Sequence, residues 1–262
     1  GQDASNYHRP TRLADPVNEP PIHRRAMLIN ADFNSIVVVT PDDYIWVDSP
    51  QAGVRRVMLD RIGAEKARAT SLVRYAPGST FPSHAHPGGE EILVLEGVFS
   101  DELGDCPAGT YVRNPPGSRH APASREGCLI LVKLRQMSAN ETATLRLDTN
   151  AVQVWEHFTD RRLCRIFESP EERVRIEQVE ASRPLFPQAQ ALAEILVLGG
   201  ELKLALGSRT RILAAGTWVR ASGPDAHRCL ASMVAGSHGV TVYIKQGAVV
   251  EHPHLASAAP RS

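Results

Sequence analysis

Gly78-Ser-Thr-Phe-Pro-Ser-His84-Ala-His86-Pro-Gly-Gly-Glu90, running on into Glu91-Ile-Leu-Val-Leu-Glu-Gly97, is the stretch that decides the reading of this chain. His84 and His86 are separated by one residue, so on a β-strand both imidazoles leave the same face. Pro87-Gly88-Gly89 is a turn composition and lets the chain reverse, so that Glu90 opens the next strand beside the histidines. Ile92 to Leu95 continues that strand as an apolar run, which Gly97 is expected to end. A second segment, from Gly109 through Pro115-Pro116-Gly117 to His120, supplies another turn and a third histidine that can return to the same point.

Three imidazoles and a carboxylate suit borderline divalent metals, and the expectation is one transition metal per chain held by His84, His86, Glu90 and His120. Zinc, iron, manganese, nickel and copper all accept such a set. Four protein ligands leave open positions on a metal that prefers five or six, where substrate, dioxygen or water could bind. The motif spacing selects Glu90 over Glu91, and strand alternation then aims Glu91 at the opposite face. Glu96, beside Gly97, reads as a solvated strand end. Glu90 is also the candidate catalytic residue, as a ligand that stays bound or one that swings off to accept a proton. The bland alternative, a surface His-Ala-His pair and an unrelated loop histidine, does not explain the glycines and prolines at matching positions.

The organisation follows from an internal repeat. Glu91-Ile-Leu-Val-Leu-Glu-Gly97 recurs as Glu194-Ile-Leu-Val-Leu-Gly-Gly200, and Gly109-Thr-Tyr-Val-Arg113 recurs as Gly216-Thr-Trp-Val-Arg220. A histidine, His120 or His227, follows each of the latter pair at the same distance. Each copy reads as short strands rich in Val, Ile and Leu between Gly, Pro and Ser turns, which predicts an all-β protein of two tandem jelly-roll barrels. Ser35 to Thr40, Ala69 to Tyr75, Leu129 to Leu134 and Val240 to Ile244 are examples of such strands. The expected layout is an N-terminal arm over 1–30, a metal-binding barrel over 31–145, a second barrel over 150–250 and a flexible tail over 251–262. Short helices are expected around Gln188 to Ala193 and near the start of the chain.

The two copies differ in chemistry. Where the first has Phe81-Pro-Ser-His84-Ala-His86, the second has Phe186-Pro-Gln188-Ala-Gln190, and Ala193 stands where the first has Glu90. Only His227 survives, and one imidazole among neutral amides is a poor divalent-metal site. The second barrel therefore reads as a packing partner that has lost its metal. A metal-free ligand pocket lined by Gln188 and Gln190 is the functional alternative.

The chain has 262 residues, of which 42% are hydrophobic, with 29 basic and 29 acidic side chains. Zero net charge removes the usual electrostatic case for nucleic acid or an anionic membrane as partner. No apolar run approaches a membrane span, and Gln2 to Pro21 is polar throughout, unlike a secretory leader. Cys106, Cys128, Cys164 and Cys229 form no CxxC pairing, which fits free thiols in a reducing compartment and makes the cytoplasm the default.

From Trp46 to Gln136 the chain resembles the ChrR-type cupin domain. The resemblance rests on Trp46-Val-Asp-Ser-Pro50, Met58-Leu-Asp-Arg-Ile-Gly63, Ala69-Thr-Ser-Leu-Val-Arg-Tyr-Ala-Pro-Gly78, the run from Gly89 to Asp101, Tyr111 to Ser118 and Val132-Lys-Leu-Arg135. It covers the first barrel and only weakly the second, so the whole is similar to a ChrR-like bicupin, two double-stranded β-helix barrels in one chain. The resemblance implies His84, His86, Glu90 and His120 as metal ligands, with zinc in the regulator that names the family. In that anti-sigma regulator a small zinc-binding helical domain precedes the cupin and grips the sigma factor. Here residues 1–45 contain no cysteine and only His8 and His23. The resemblance thus supports the cupin but not sigma-factor binding. Related stand-alone cupins include iron-dependent dioxygenases that cleave diketones or hydroxyketones.

Two function classes follow. In the first, a small-molecule substrate chelates the metal and the protein is an oxidoreductase of the dioxygenase type. In the second, the cupin is a sensory or regulatory module for oxidative stress or transcription, without catalysis, and Cys106 or Cys128 near the metal could report oxidation. The competing reading of both thiols is as small core residues. A regulator needs an element that contacts its target, whereas an enzyme needs only a pocket and open metal positions, and the balance favours small-molecule chemistry. Pairing of barrel edges also allows a homodimer.

Overall fold

The computed structural model describes residues 27–64 and 66–247. The expected tail, all but the last residues of the expected arm, and the expected helix near the chain start lie outside those residues. The described chain is built of antiparallel sheets. One sheet carries Val54–Ile62, Arg68–Tyr75, Cys128–Leu134, Glu90–Asp101 and Thr110–Asn114 in that spatial order. The other carries Arg161–Glu168, Glu172–Val179, Val234–Gly247, Ala193–Leu206 and Trp218–Ala221, the corresponding elements of the repeat in the corresponding order. The protein is all-β, with two cupin barrels.

The apolar runs form strands buried on both sides, so their alternation divides them between two cores. Ile92 and Val94 point into the first barrel with Val112, Ile130 and Val132. Leu93, Tyr111, Leu129 and Leu131 point the other way, into a layer shared with Ile176, Leu196, Trp218 and Tyr243 of the second barrel. Ile195, Val197, Val219, Val242 and Ile244 fill the second barrel's own interior. A continuous hydrophobic run thus closes a barrel on one face and docks its neighbour on the other.

The barrels also exchange strands. Ile36–Val39, which precedes the first barrel in sequence, pairs with Trp218–Ala221 of the second sheet. Leu145–Asp148, which precedes the second barrel, pairs with Thr110–Asn114 of the first. The sequence ranges 31–145 and 150–250 therefore do not coincide with the two sheets: each copy donates its leading strand to the edge of the other. Main-chain groups that a separate barrel would leave unpaired are satisfied by this trade.

Buried ion pairs follow the same symmetry. Glu91 accepts hydrogen bonds from Lys245 Nζ (2.5 Å) and Tyr243 Oη (2.7 Å) of the second barrel. Glu194 of the second barrel accepts from Lys133 Nζ of the first (2.5 Å) and from Trp218 Nε1 (2.8 Å). Burial raises the Glu91 carboxyl, but Lys245, Arg113 and Lys133 outweigh it and hold the group down to about 2. Arg113 and Arg220, equivalent in the repeat, are both buried; the first pairs with Glu91, Glu141 and Glu172, the second with Asp60.

Two local expectations change. Gln188 to Ala193 is not helical; the chain turns there and Ala193 opens the strand Ala193–Leu206, because its pairing with Ala221 outweighs a short stretch of helix-favouring residues. The α-helix among the described residues is Ala226–Ala231 instead. Nor does Gly97 end its strand, which runs from Glu90 to Asp101. Gly97 has φ +70°, and a Cβ there would lie 2.0 Å from the Gly127 carbonyl. Gly200, its counterpart, has φ +69° and would meet the Gly239 carbonyl at 2.3 Å. Both glycines let a long strand bend from one side of its barrel to the other.

Candidate metal centre

His84–His86 and Ser118–His120 form a two-stranded antiparallel pair in which His120 lies opposite His84 and Ser118 opposite His86. Two turns produce this register: Gly89 N donates to His86 O (3.1 Å), and Ser118 N donates to Pro115 O (3.0 Å). The polypeptide then enters Glu90–Asp101 on the inward parity shared with Ile92 and Val94. Glu91 falls on the outward parity and is consumed by the interface between barrels.

The side chains of His84, His86 and His120 converge, with ligand atoms within 4.8 Å of one another. His86 Nε2 and His120 Nε2 are 2.9 Å apart. Glu90 Oε2 lies 3.2 Å from His120 Nε2 and 3.5 Å from His86 Nε2, and also accepts a hydrogen bond from Asn114 Nδ2 (3.3 Å). His86, Glu90 and His120 are buried, while His84 is half-buried.

The outer ring nitrogens are occupied by acceptors. His120 Nδ1 donates to Asp101 Oδ2 (3.2 Å), and His84 Nδ1 donates to the Pro82 carbonyl (2.9 Å). A carboxylate and a carbonyl can only accept, so both protons sit on Nδ1 and both Nε2 lone pairs are free to face inward. Asp101 is itself clamped by Arg146 Nη2 at 2.5 Å. Burial lowers the basicity of His86, which keeps it neutral and able to ligate. Burial opposes charge on His120 as well, but Glu90 and Asp101 on either side of it raise its affinity for a proton. One proton can satisfy one facing pair of these atoms. A divalent cation would satisfy the three clustered imidazoles together, with the Glu90 oxygen beside two of them, and such donors fit zinc, iron, manganese or nickel.

Beside the cluster is a cavity of about 290 Å³ whose wall includes His84, His86 and Glu90. The rest is mainly apolar, with Val54, Val73, Phe81, Ile130 and Val132, and with Ser49, Tyr75, Arg56 and Arg135 as polar members. A larger cavity of about 690 Å³ lies between the barrels against Trp46, Trp155, Leu93 and Leu196, and the clustered histidines do not line it.

The second barrel is filled where the first is open. Ala193, standing for Glu90, is fully buried among Leu185, Phe186, Leu230 and Met233. The helix Ala226–Ala231 puts Ala226, Cys229 and Leu230 into that core and leaves His227 exposed on the outside. Gln188 is exposed, and Gln190, half-buried, accepts a hydrogen bond from Gln246 Nε2 (2.5 Å). All four cysteines are free and buried, and burial pushes their thiols up, Cys164 and Cys229 to about 11. Cys106 Sγ contacts Arg146 Nη1 at 3.2 Å. Thiols in such surroundings react slowly with oxidants.

Asp101, Asn114, Tyr75 and Arg56 are site residues that the sequence reading did not single out. Asp101 is hidden by parity. Strict alternation from Glu90 would send it outward, but a register shift opposite Leu129/Ile130 reverses the sense of the strand, so that Phe99 and Asp101 face inward again.

Residues 34–138 match the family model of the ChrR cupin-like domain. No curated protein matches the sequence. Among solved structures, the chain is similar to a candidate glyoxylate-induced protein from Pseudomonas aeruginosa, with a TM-score of 0.63 at 15% identity over 91% of this chain and 96% of that one. It is similar to a candidate dioxygenase from Nostoc punctiforme, with a TM-score of 0.61 at 13% identity over 87% and 88%. A bacterial pirin from Escherichia coli, solved in complex with nickel(II), aligns with a TM-score of 0.58 at 11% identity over 82% and 100%. At these identities the likeness is one of fold.

Proposed function

Because residues 34–138 match the ChrR cupin-like domain model, we propose that the first barrel is a metal-dependent small-molecule site, of the dioxygenase type, acting on diketone or hydroxyketone substrates. The observation that carries this reading is the cluster of His84, His86 and His120, with Glu90 beside His86 and His120, next to a cavity that His84, His86 and Glu90 line. A divalent metal held there would supply Lewis acidity toward paired substrate oxygens and, as iron(II), the redox chemistry of dioxygen. The chain's own groups do the rest. Asp101 holds the His120 proton on Nδ1 and so fixes the ring for ligation. Glu90 Oε2, kept by Asn114, balances the charge of a cation and can accept a proton from carbon or oxygen of a bound substrate. Apolar walls exclude water and orient the substrate.

Metal analysis of protein purified without added metal, followed by oxygen uptake with a panel of β-diketones and hydroxyketones, tests this reading. One equivalent of metal with substrate-dependent oxygen consumption supports it. Metal without turnover of any member of the panel would move the protein to the sensory class. The raised, buried thiols then argue that the signal is read at the metal rather than by a cysteine.

A further inference from the structure

Arg56 is the unexplained group of the metal-site cavity. It lies on the strand Val54–Ile62 at the same parity as Val54, which belongs to the first barrel's interior, and it lines the cavity with His84, His86 and Glu90. Its Nε is buried without a hydrogen-bond partner among the described residues. Arg56 as a whole is half-buried, so the cost falls on this one N–H, which has lost water and gained no acceptor that a ligand oxygen would supply. Arg135 stands at the same cavity in a left-handed backbone conformation (φ +58°), its N–H donating to the Gly89 carbonyl (3.2 Å). Such a conformation is unfavourable for a residue with a Cβ and is retained where surrounding structure demands it.

The charges of the wall do not balance. Its acidic lining residue is Glu90, against Arg56 and Arg135. A divalent metal on the histidines would add two further positive charges, so the loaded cavity is electropositive and complementary to an anion. The shape narrows the choice. At about 290 Å³ the cavity takes only a small molecule, and a planar guanidinium edge matches a carboxylate with two parallel N–H donors. Tyr75 lines the same space, and burial, with Glu90 adding to it, keeps its phenol protonated as a donor.

We propose that the ligand of the first barrel is a small carboxylate-bearing carbonyl or hydroxyl compound, with Arg56 as the residue that recognises the carboxylate. This rests on the metal-site reading above and shifts its substrate class from neutral diketones and hydroxyketones to their carboxylate analogues, the oxo acids and hydroxy acids. Arg56 is a specificity residue in this scheme; ligation of metal does not involve it.

The test uses the full chain loaded with one equivalent of nickel(II), with binding followed by calorimetry. Pyruvate and hydroxyacetone are the probes, since both carry a ketone and only the first carries a carboxylate. The wild type is expected to bind pyruvate at least about tenfold more tightly. Arg56→Met is expected to weaken pyruvate roughly tenfold to a hundredfold while leaving hydroxyacetone and metal content unchanged. Arg56→Lys, which keeps the charge but loses the fork, should fall between. Equal affinity for both probes in the wild type overturns the proposal, as does pyruvate binding unaffected in Arg56→Met. If Arg56→Met does not fold, the wild-type comparison and Arg56→Lys decide. Metal content is measured on the same samples. A wild type that takes up no metal removes the metal-site reading, while pyruvate titrated into that metal-free protein and its Arg56→Met variant still decides whether Arg56 reads the carboxylate.

Discussion

The two barrels are built from one repeated pattern, and they differ most at one place. In the first, His84, His86 and His120 cluster with Glu90 beside a cavity that His84, His86 and Glu90 line. In the second, Leu185, Phe186, Leu230 and Met233 occupy the interior, and a short helix lies where the first barrel has its histidine strand. The second barrel shows the same fold with apolar residues at the positions of the histidine cluster. Its interior is filled by apolar side chains, and its surviving histidine turns to solvent. Polar groups in the first barrel are held by a scaffold that the filled barrel braces through shared apolar and ionic contacts. The candidate metal site lies in one half, and the other contributes a filled core and the partners of the shared layer.

The sharpest way to break this contrast is at the ligands. His84→Ala, His86→Ala or His120→Ala should each take metal content from one equivalent per chain to near zero by plasma emission analysis, whereas His227→Ala should leave it at one. Two equivalents in the wild type, the second lost in His227→Ala, would erase the asymmetry. Glu90→Gln should alter metal affinity or reactivity. Glu91→Gln, on the interface side of the same strand, should leave the metal in place, and the reverse pattern would show the strand parity to be misassigned.

The next largest effects concern the shared interface. Lys133→Met removes the cation bonded to Glu194 and leaves the carboxylate its Trp218 hydrogen bond, and the expected loss is about 3–5 kcal/mol in chemical denaturation. Lys245→Met is the mirror experiment on Glu91. A similar loss from both would establish the two pairs as equivalent. If one is silent, the apparent symmetry does not extend to the energetics. Hollowing the second barrel by Met233→Ala should cost about 2–5 kcal/mol without reducing metal content, because Met233 is fully buried in a core that the metal cluster does not share.

Smaller effects refine the picture. Asp101→Asn should weaken metal binding about 10- to 100-fold while leaving saturation at one equivalent, as expected for a group that orients a ligand rather than being one. Acid stability should also report the interface. Burial raises the Glu194 carboxyl, but Lys133 and the Trp218 hydrogen bond prevail and hold it below its ordinary 4.5. A depressed folded value means that the contribution is complete above about pH 4.5 and is lost as pH falls through the lowered value. The melting temperature should therefore decline below that point, and Glu194→Gln should lower it at pH 7 while flattening the acid limb.

What the sequence determined by itself was whatever depends on short-range spacing. The period of two placed His84 and His86 on one face and separated Glu90 from Glu91. The two glycine-rich turns brought His120 to His84, and the repeated Glu-Ile-Leu-Val-Leu run announced two barrels of one design. Tertiary structure decided what depends on pairing between distant segments. Strand exchange put Ile36–Val39 in the second sheet and Leu145–Asp148 in the first, since edge main-chain groups bond to whichever partner the docked barrels present. A register shift turned Asp101 back toward His120, which alternation counted from Glu90 would have denied. Gln188 to Ala193 gave up its helix to the sheet, while Ala226–Ala231 became one because Ala226, Cys229 and Leu230 could fill a core from one helical face. Arg56, in a strand otherwise unremarkable, acquired significance only when the barrel closed around it. Periodicity is local and survives in the sequence. The partner across a sheet, and the cavity that two sheets enclose, exist only once the chain has folded.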